Sequence, residues 1–489
     1  MNEDIRALAP QAVWGHFADL NAVPRPSKKE ARVIAFMQAF GESLKLPVQV
    51  DAVGNVIIKK PATAGMENRA AVCLQGHLDM VHQKNADTQF DFDEQGIEMR
   101  IDGDWVRANG TTLGADNGMG VASIMALLAS TDIAHPRLEA LFTIDEETGM
   151  TGAIGLRGGL LSSKIMLNLD TEEDNELTIG CAGGIDVTGT GKYRAIKAKG
   201  TAFRVTISGL KGGHSGIDIH RGRANANKIM NRILLIWQNS PFTEMQISSI
   251  AGGSLRNAIP RESTATVLVV SKKRSKTFAQ YAKTCFAPIV AEYRDTDPDM
   301  KIILEELPES PEKMMKPDFQ FLFLRVIAGI TSGISRMDSN IAGLVQTSNN
   351  LSKIVVGDGA YSIQNLTRSS VNSEKMALAN DLSAIMELLE GVKVSMGSSY
   401  PGWTPRPDAN IVKLMVDLYK ELHGGEMPLV NACHAGLECG ILGTNYPNME
   451  MISFGPTIRG AHSPDEAVSI SSVQKFWAYL VATLAAIPE

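Results

Sequence analysis

The sequence predicts an α/β protein in which a mostly parallel sheet with helices on both faces is interrupted by a large α+β insertion. Two observations carry this prediction. Short apolar runs alternate with helix-spaced segments over the first 185 residues, and the same alternation returns after about residue 400. Between these stretches, strand-like segments alternate apolar and polar residues, which is typical of half-buried strands.

Three apolar runs in the first part of the chain are predicted to be strands. They are AVCLQ at Ala71–Gln75, LEALFTI at Leu138–Ile144 and IMLNL at Ile165–Leu169. Gly118–Ala129, which lies between the first two, has apolar residues at helical spacing. Short apolar strands separated by helices favour a parallel sheet.

The last part of the chain has the same pattern. Asn410–Leu422 and Ser471–Ile487 are predicted to be helices, and Met449–Phe454 is predicted to be a strand. The proline-rich segment Tyr400–Asp408 precedes them and indicates a domain boundary.

The middle of the chain, residues 187–398, is predicted to be a lid or insertion domain of the α+β type. Its predicted strands are Thr201–Ser208, Ser263–Ser271, Ile341–Gln346, Lys353–Val356 and Tyr361–Leu366. Its predicted helices are Asn225–Trp237, Ser275–Tyr293, Phe319–Ile330 and Ser373–Leu389. Residues 1–186 and 399–489 are then expected to form one α/β domain.

Composition and charge exclude several classes of protein. The 489 residues include 47 Lys and Arg and 54 Asp and Glu, a net charge of −7. With no basic tract, this excludes a typical nucleic-acid binder. The apolar segment Phe476–Ile487 is too short to span a bilayer, and the first residues lack the apolar stretch of a secretory signal. Five scattered cysteines indicate free thiols, so we expect a cytoplasmic protein without membrane or nucleic-acid partners.

Acidic residues and histidines follow the predicted strands, where the carboxyl ends of a parallel sheet form sites. The candidates are His77 and Asp79 in GHLDM, Asp116 in GADNG, Glu146 and Glu147 in DEETG, Asp170 in NLDTEED and His462 in GAHSPDE. Each alone has an ordinary structural explanation: a loop histidine, a helix N-cap, or a solvated acidic loop. Together they supply mixed imidazole and carboxylate ligands, which favour a two-metal site for zinc, manganese or cobalt.

The motifs GHLDM, TLGADNGMG, DEETGMTGA, LDTEED and GPTIRGAHSPDE occur in this order. With them the chain resembles the dizinc metallo-exopeptidases, a family that includes carboxypeptidase G, succinyl-diaminopimelate desuccinylase, aminoacylase and several dipeptidases. The segments KGGHSGIDIHRGRANANK, SLRNAIPRE and CHAGLECG are similar to those of its bacterial branch that cleaves aminoacyl-histidine dipeptides. The resemblance covers nearly the whole chain.

The resemblance implies a set of metal ligands. Asp116 would bridge two divalent ions, with zinc expected and manganese or cobalt as alternatives. His77 and Asp170 would complete one metal site. Glu147 and His462 would complete the other.

The resemblance also implies roles for neighbouring groups. Glu146 would be the general base, and Asp79 would be the carboxylate behind His77. The peptide bond between Asp116 and Asn117 is expected to be cis.

Four residues of the second half would contact the substrate. His214, in GGHSG, resembles a histidine that stabilises the oxyanion, although a turn histidine is the alternative. Arg368 resembles an arginine that binds the substrate carboxylate, and a bidentate guanidinium suits that role; the alternative is a surface arginine. Asn257 resembles a substrate-binding asparagine rather than a turn residue, and Gly436 would offer its backbone N–H to the same carboxylate.

The remaining histidines are interpreted as structural. They are His16, His82, His135, His220, His423 and His434. His434 and Glu438 are four residues apart and could imitate a ligand pair on a helix, but the ligand positions are already assigned.

The resemblance implies a cytoplasmic, homodimeric metallodipeptidase that prefers Xaa-His substrates, including β-Ala-His. The alternative is an N-acyl amino acid deacylase that uses the same two-metal site. A metal-dependent binding protein without activity is the third hypothesis, and the presence of Glu146 with all five ligand candidates argues against it.

Overall fold

In the computed structural model, residues 2–240 and 244–489 are described, and they divide into two compact units. The first unit contains the residues up to Gly180 together with Trp403–Ala432 and Leu437–Glu489. The second contains Cys181–Gly402 and Cys433–Gly436. The sequence predicts domain limits between residues 186 and 187 and between residues 398 and 399. These limits stay a prediction.

Strands and helices are numbered along the chain. The strands are β1 (Val48–Val50), β2 (Val56–Lys60), β3 (Val72–His77), β4 (Met99–Asp102), β5 (Trp105–Ala108), β6 (Leu138–Thr143), β7 (Ile165–Asn168), β8 (Glu176–Cys181), β9 (Gly183–Lys192), β10 (Ala195–Lys197), β11 (Thr201–Ser208), β12 (Met245–Gly252), β13 (Ser263–Val269), β14 (Lys301–Glu306), β15 (Lys313–Met315), β16 (Gly333–Met337), β17 (Val345–Gly357), β18 (Ala360–Ser369), β19 (Lys393–Tyr400), β20 (Leu429–Cys433), β21 (Glu450–Ser453), β22 (Ile458–Arg459) and β23 (Ala467–Ser469). The α-helices are α1 (Glu3–Arg6), α2 (Gln11–Asn21), α3 (Ala31–Ser43), α4 (Ala115–Ala129), α5 (Glu146–Gly149), α6 (Thr151–Gly155), α7 (Ala226–Gln238), α8 (Lys272–Ala282), α9 (Phe286–Glu292), α10 (Pro317–Gly329), α11 (Asn372–Met386), α12 (Asn410–Leu422), α13 (Glu438–Asn445) and α14 (Ile470–Ala486). Short 3-10 helices span Ile219–Arg221 and Lys283–Cys285.

The first unit is built on a sheet with the strand order β1-β2-β6-β3-β7-β21-β8-β20. The central strands β6, β3, β7 and β21 run parallel, which confirms the α/β class expected from the sequence. The sheet is less uniformly parallel than expected, because β1, β2 and β8 pair antiparallel with their neighbours. Antiparallel strands extend the sheet beyond its parallel centre without the long crossover that a parallel strand needs.

The apolar runs that predicted the central strands form its buried centre. Strands β3, β6 and β7 are buried at every position. A strand buried on both faces has a continuous apolar sequence instead of an alternating one, which is why these three strands could be identified. Helix α12 coincides with its predicted range.

The second unit contains a sheet with the order β14-β11-β13-β12-β17-β18-β9-β19, and the pairings recorded along it are antiparallel. One apolar core joins this sheet to the helices of the unit. It includes Trp237 of α7, Phe278 of α8, Phe323 of α10 and Leu382 of α11. The alternating burial of β11, which coincides with its predicted range, matches a sheet with one face on this core.

Two predicted elements of the second unit are wrong. The helix expected at Ser275–Tyr293 is divided, because a 3-10 turn at Lys283–Cys285 separates α8 from α9. Pro288 falls in the first turn of α9, where its missing N–H is tolerated, whereas a continuous helix would lose a hydrogen bond there.

The strand expected at Ile341–Gln346 begins only at Val345. The residues before it form a turn in which the side chain of Asp338 accepts hydrogen bonds from the backbone N–H groups of Asn340 and Ile341. Local bonds of this kind compete with strand pairing, so the apolar residues of this segment do not extend the strand.

Within the part of the chain that the structure describes, none of the helices combines the length and the apolar character that crossing a bilayer requires.

Candidate active site

The candidate metal ligands of the first unit follow the carboxyl ends of the parallel strands. His77 is the last residue of β3 and lies opposite Thr143, the last residue of β6. Glu146 and Glu147 come three and four residues after the end of β6, and Asp170 comes two residues after the end of β7. The shared direction of these strands brings the polar residues that follow them to one edge of the sheet.

Asp116 approaches this edge because α4 packs closely on the strands. A Cβ atom on Gly76 of β3 would lie 2.3 Å from Asn117 Oδ1, and one on Gly120 of α4 would lie 2.4 Å from the carbonyl oxygen of Leu169. Glycine at both positions permits the close approach. The peptide bond between Asp116 and Asn117 is cis, which confirms the expectation from the sequence.

Two groups of potential metal ligands share Asp116. In the first group, His77 Nε2 lies 3.2 Å from Asp116 Oδ1 and 3.5 Å from Asp170 Oδ1. In the second group, His462 Nε2 lies 3.1 Å from Asp116 Oδ2 and 3.0 Å from Glu147 Oε2. In each group the potential ligand atoms lie within 4.8 Å of one another. Asp116 therefore directs one carboxylate oxygen to each group.

The chemistry of these groups fits two divalent cations. Among the described residues, Glu147 Oε1 and Asp170 Oδ1 are buried without a hydrogen-bond partner. Burial raises the pKa of Asp170 to about 6, with His77 opposing and the charges of Asp116 and Glu147 adding to the rise. Buried carboxylates at such short range favour a bound cation, because it compensates their charge. One imidazole and two carboxylates around each position suit zinc, manganese or cobalt.

Asp79 connects His77 to the segment that carries the two glutamates. Its carboxylate accepts hydrogen bonds from the backbone N–H groups of Glu146 and Glu147, at 3.0 and 3.4 Å, and from Ser27 Oγ at 2.7 Å. His77 Nδ1 lies 3.1 Å from the Asp79 carbonyl oxygen and 3.4 Å from its carboxylate. Burial opposes ionisation of Asp79, but its contacts with His77, Ser27 and Glu146 lower the pKa overall. The side chain is therefore an anionic acceptor behind His77.

Glu146 lies beside the first group of ligands. One carboxylate oxygen of Glu146 is within 4.8 Å of ligand atoms of His77 and Glu147. Burial raises the pKa of Glu146 well above its usual value, and the charges of Asp170, Glu438 and Glu147 add to this effect against the opposing charge of His77. A carboxylate with a raised pKa is a stronger base than an ordinary carboxylate, which suits a group that accepts a proton.

Sequence reasoning noted Glu438 only with His434, as a pair that could imitate metal ligands, and gave the two a packing or supporting role. Glu438 Oε2 accepts hydrogen bonds from Gln75 Nε2 at 2.7 Å and from Thr143 Oγ1 at 2.6 Å. Burial raises its pKa to about 7. Glu438 is the first residue of α13 and His434 precedes the helix, so the two do not form a helical ligand pair. The signals for Glu438 in the sequence were its spacing from His434 and its place in CHAGLECG.

Sequence reasoning assigned no role to Glu466, although it stands in the HSPDE motif, or to Arg25. Both side chains are buried, with exposed fractions of 2% and 1%. Both side chains form hydrogen bonds with the backbone of the turn that leads to Asp116.

In the second unit, His214 is held as a neutral imidazole. Its Nδ1 accepts hydrogen bonds from the backbone N–H groups of Gly216 and Ile217, at 3.2 and 3.1 Å. Burial lowers the pKa of His214 to about 4, and the adjacent charge of Arg368 lowers it further against the opposing charge of Asp218. We therefore assign the proton to Nε2, which makes this atom a hydrogen-bond donor.

Arg368 places a cation next to that donor. Arg368 Nη2 lies 3.4 Å from His214 Nε2, and Nη1 donates a hydrogen bond to Tyr400 Oη at 2.8 Å. The side chain is 4% exposed, and its Nε has no hydrogen-bond partner among the described residues. A buried guanidinium that retains a free donor can bind an anion.

The other two candidates of this unit lie next to the same turn. Asn257 accepts a hydrogen bond from the N–H of Ser215 through its backbone oxygen at 2.8 Å, and its side chain is exposed. Gly436 belongs to the Cys433–Gly436 segment, which approaches the turn so closely that a Cβ on Gly216 would lie 2.0 Å from the His434 carbonyl oxygen. The second unit thus gathers His214, Arg368, Asn257 and this segment around one turn.

Three of the remaining histidines have structural contacts. His434 Nε2 lies 2.8 Å from Ser348 Oγ, and His423 stacks on Tyr419 with a ring separation of 4.0 Å. His135 is buried with its Nδ1 at 2.7 Å from the Pro136 carbonyl oxygen.

Comparison with known proteins supplies independent information. The model of peptidase family M20/M25/M40 matches residues 73–486. The chain is 39% identical over 487 residues to the cytosol non-specific dipeptidase of Escherichia coli, an alignment that covers 99% of each protein. The crystal structure of aminoacylhistidine dipeptidase from Vibrio alginolyticus is similar over the full length of both chains, with a TM-score of 0.92 and 41% identity. Aminopeptidase PepT from Bacillus cereus shares the fold at 15% identity, with a TM-score of 0.58 over 99% of this chain and 100% of PepT.

Proposed function

This chain belongs to peptidase family M20/M25/M40, and on that premise we propose that it is a metal-dependent dipeptidase with a preference for Xaa-His substrates. The observation that carries the proposal is the pair of ligand groups that share Asp116. Two relatives that match nearly the whole chain are dipeptidases by name, and this supports the choice of substrate class.

We propose that Asp116 bridges two divalent ions. In this assignment His77 and Asp170 complete one site, and Glu147 and His462 complete the other. Zinc is the proposed metal, with manganese and cobalt as alternatives, because the donors are imidazoles and carboxylates. When bound, such a pair of ions lowers the pKa of water and polarises the scissile carbonyl.

Glu146 is the proposed general base. Its carboxylate accepts a proton from the attacking water and passes it to the leaving amine, a role supported by its raised pKa and its position beside His77 and Glu147. Asp79 is proposed to hold His77 and the backbone of Glu146 in place, as its hydrogen bonds indicate.

The second unit is proposed to bind two anionic groups of the substrate, the developing oxyanion and the terminal carboxylate. His214 donates from Nε2 to the developing oxyanion, and Arg368 binds the terminal carboxylate. Asn257 is proposed to contact the substrate, and the backbone N–H of Gly436 is proposed to donate to the carboxylate.

The proposal also covers the substrate preference, the location and the oligomeric state. The Vibrio alginolyticus relative supports a preference for aminoacyl-histidine substrates, β-Ala-His included, whereas the name of the Escherichia coli relative indicates broad tolerance. The latter name supports a cytosolic location. A homodimer is proposed from the family resemblance, and the mass in solution measured by light scattering tests it.

The test is hydrolysis of a substrate panel by the purified protein. The panel contains β-Ala-His, Gly-His, Leu-Gly, a tripeptide and an N-acetyl amino acid, each assayed before chelation, after chelation and after return of zinc, manganese or cobalt. We expect cleavage of the dipeptides, fastest for Xaa-His, with loss on chelation and recovery with metal. Cleavage of the N-acetyl amino acid alone would instead identify a deacylase, and turnover that persists without metal would contradict the proposal.

A further inference from the structure

We propose that Glu466 is a positioning residue that fixes the bridging carboxylate Asp116 and the ligand His462 in one arrangement. This proposal rests on the proposed function, because it assumes that Asp116 and His462 bind metal. Glu466 itself contacts neither metal nor substrate in this assignment. It acts through the backbone of the two segments that carry those ligands.

The carboxylate of Glu466 accepts four backbone hydrogen bonds from the turn that ends at Asp116. The donors are Leu113 N at 2.7 Å and Gly114 N at 2.9 Å, both to Oε2, and Ala115 N at 2.7 Å and Asp116 N at 3.2 Å, both to Oε1. Each oxygen therefore serves two donors. This arrangement leaves Glu466 unsuited as a metal ligand and fixes the backbone from which the Asp116 side chain extends.

Glu466 is also tied to His462 through a short turn. The N–H of Glu466 donates to the Ser463 carbonyl oxygen at 3.1 Å, and the N–H of Ser463 donates to the Gly460 carbonyl oxygen at 3.2 Å. His462 has a φ of 65°, in the left-handed region that non-glycine residues rarely adopt. Such a conformation persists where its surroundings impose it. The short turn that leads to the buried Glu466 is part of those surroundings.

Arg25 holds the same turn from its carbonyl side. One guanidinium nitrogen donates to the Gly114 carbonyl oxygen at 2.6 Å, and the other donates to the carbonyl oxygens of Leu78 and Asp79 at 3.1 and 3.2 Å. The turn before Asp116 is thus bound to an anion through its N–H groups and to a cation through a carbonyl. Arg25 also extends the restraint to the segment after His77.

A buried glutamate that accepts backbone N–H groups can be merely structural, and the same unit contains a matched example. Glu139 of β6 is also buried and accepts hydrogen bonds from the N–H groups and hydroxyls of Ser162 and Ser163. It lies near the opposite end of β6 from the candidate ligands. Replacement of Glu139 therefore measures what the loss of such a cap costs when no metal ligand depends on it.

The experiment compares Glu466→Gln with Glu139→Gln in the full-length protein, using equilibrium binding of Co²⁺ or Zn²⁺ and the visible spectrum of the Co²⁺ form. Glutamine presents an NH₂ group where two backbone N–H donors need an acceptor, so the turn must move. We expect wild type and Glu139→Gln to bind two ions with equal affinity, although Glu139→Gln melts at a lower temperature. Glu466→Gln should bind at least one ion about 10- to 100-fold more weakly, with an altered Co²⁺ spectrum.

The outcomes separate this inference from the proposed function. If wild type binds fewer than two ions, the proposed metal site fails. If wild type binds two ions and folded Glu466→Gln binds them with the same affinity and spectrum, the positioning role is overturned. Glu466→Asp serves if the glutamine variant does not fold, because aspartate keeps the charge but cannot reach all four donors. Weaker binding by Glu466→Asp supports the proposal, and unchanged binding overturns it.

Discussion

The two units of this protein each contain a polar cluster, and the clusters have opposite electrostatic character. In the first unit, carboxylates converge, and one oxygen each of Glu147 and Asp170 is buried without a hydrogen-bond partner among the described residues. In the second unit, the buried guanidinium of Arg368 retains a free donor beside a neutral His214. The first cluster therefore suits cations and the second suits anions.

Some side chains of each cluster have pKa values that are shifted in the direction that this difference predicts. Burial and neighbouring carboxylates raise the pKa of Asp170 to about 6. Burial and the charge of Arg368 lower the pKa of His214 to about 4 and that of His434 to about 3. One chain can therefore contain two polar clusters of opposite electrostatic character when each cluster lies in its own unit.

The largest effect is expected when the proposed base of the acidic cluster loses its carboxylate. Glu146→Gln cannot accept a proton, so we expect kcat to fall by about 10²–10⁴-fold while two metal ions remain bound. Steady-state kinetics and metal analysis measure the two effects. Glu139→Gln, which lies away from the ligands, should retain its kcat. A Glu146→Gln enzyme with wild-type turnover would remove the base from the mechanism.

The next largest effect is expected from the donor of the second unit. His214→Ala removes the Nε2–H, and loss of one oxyanion donor typically lowers kcat by about 10²–10³-fold. The metal content should not change, since the residue belongs to the other cluster. A variant that loses metal instead, or one that changes only KM, would contradict the assigned role.

Arg368→Lys tests whether the guanidinium of the second cluster binds the substrate carboxylate. Lysine keeps the positive charge but cannot form a bidentate contact, and hydrogen bonds to charged groups are each worth about 1.5–3 kcal/mol. We expect kcat/KM for dipeptides to fall by about 10- to 100-fold, mainly through KM. Arg232→Lys, at an exposed ion pair with Glu292, is the control and should have no effect. An equal loss in both variants would argue against carboxylate binding by Arg368.

The smallest predicted effect concerns stability and pH. The pKa of His434 is lowered to about 3 by burial and by the charge of Arg368. The unfolded chain, where histidine titrates near 6.5, therefore binds the extra proton first as the pH falls. Between pH 7 and pH 5 this residue should reduce the free energy of unfolding by about 2 kcal/mol. Urea unfolding in the presence of a chelator should show that loss reduced in His434→Gln, whereas an equal pH dependence would exclude His434 as its source.

The fold class could be predicted because its central strands are buried on both faces and so have uninterrupted apolar sequences. The candidate ligands could be predicted because they follow those strands or stand in motifs that the family shares. The divided helix at Ser275–Tyr293 could not be predicted from apolar spacing, because a single proline and a 3-10 turn decided it. The turn before Val345 was missed for a similar reason, since one aspartate side chain outcompetes strand pairing there.

By itself, the sequence determined which chemical groups this protein has and in what order, and from these the α/β class and the ligand candidates followed. Only the tertiary structure decided that Asp116 directs one oxygen to each ligand group, that His214 carries its proton on Nε2, and that Glu466 binds four N–H groups. These contacts join residues as far apart in sequence as Leu113 and Glu466. Their energies depend on burial and on distances of a few ångströms, which the order of residues does not specify.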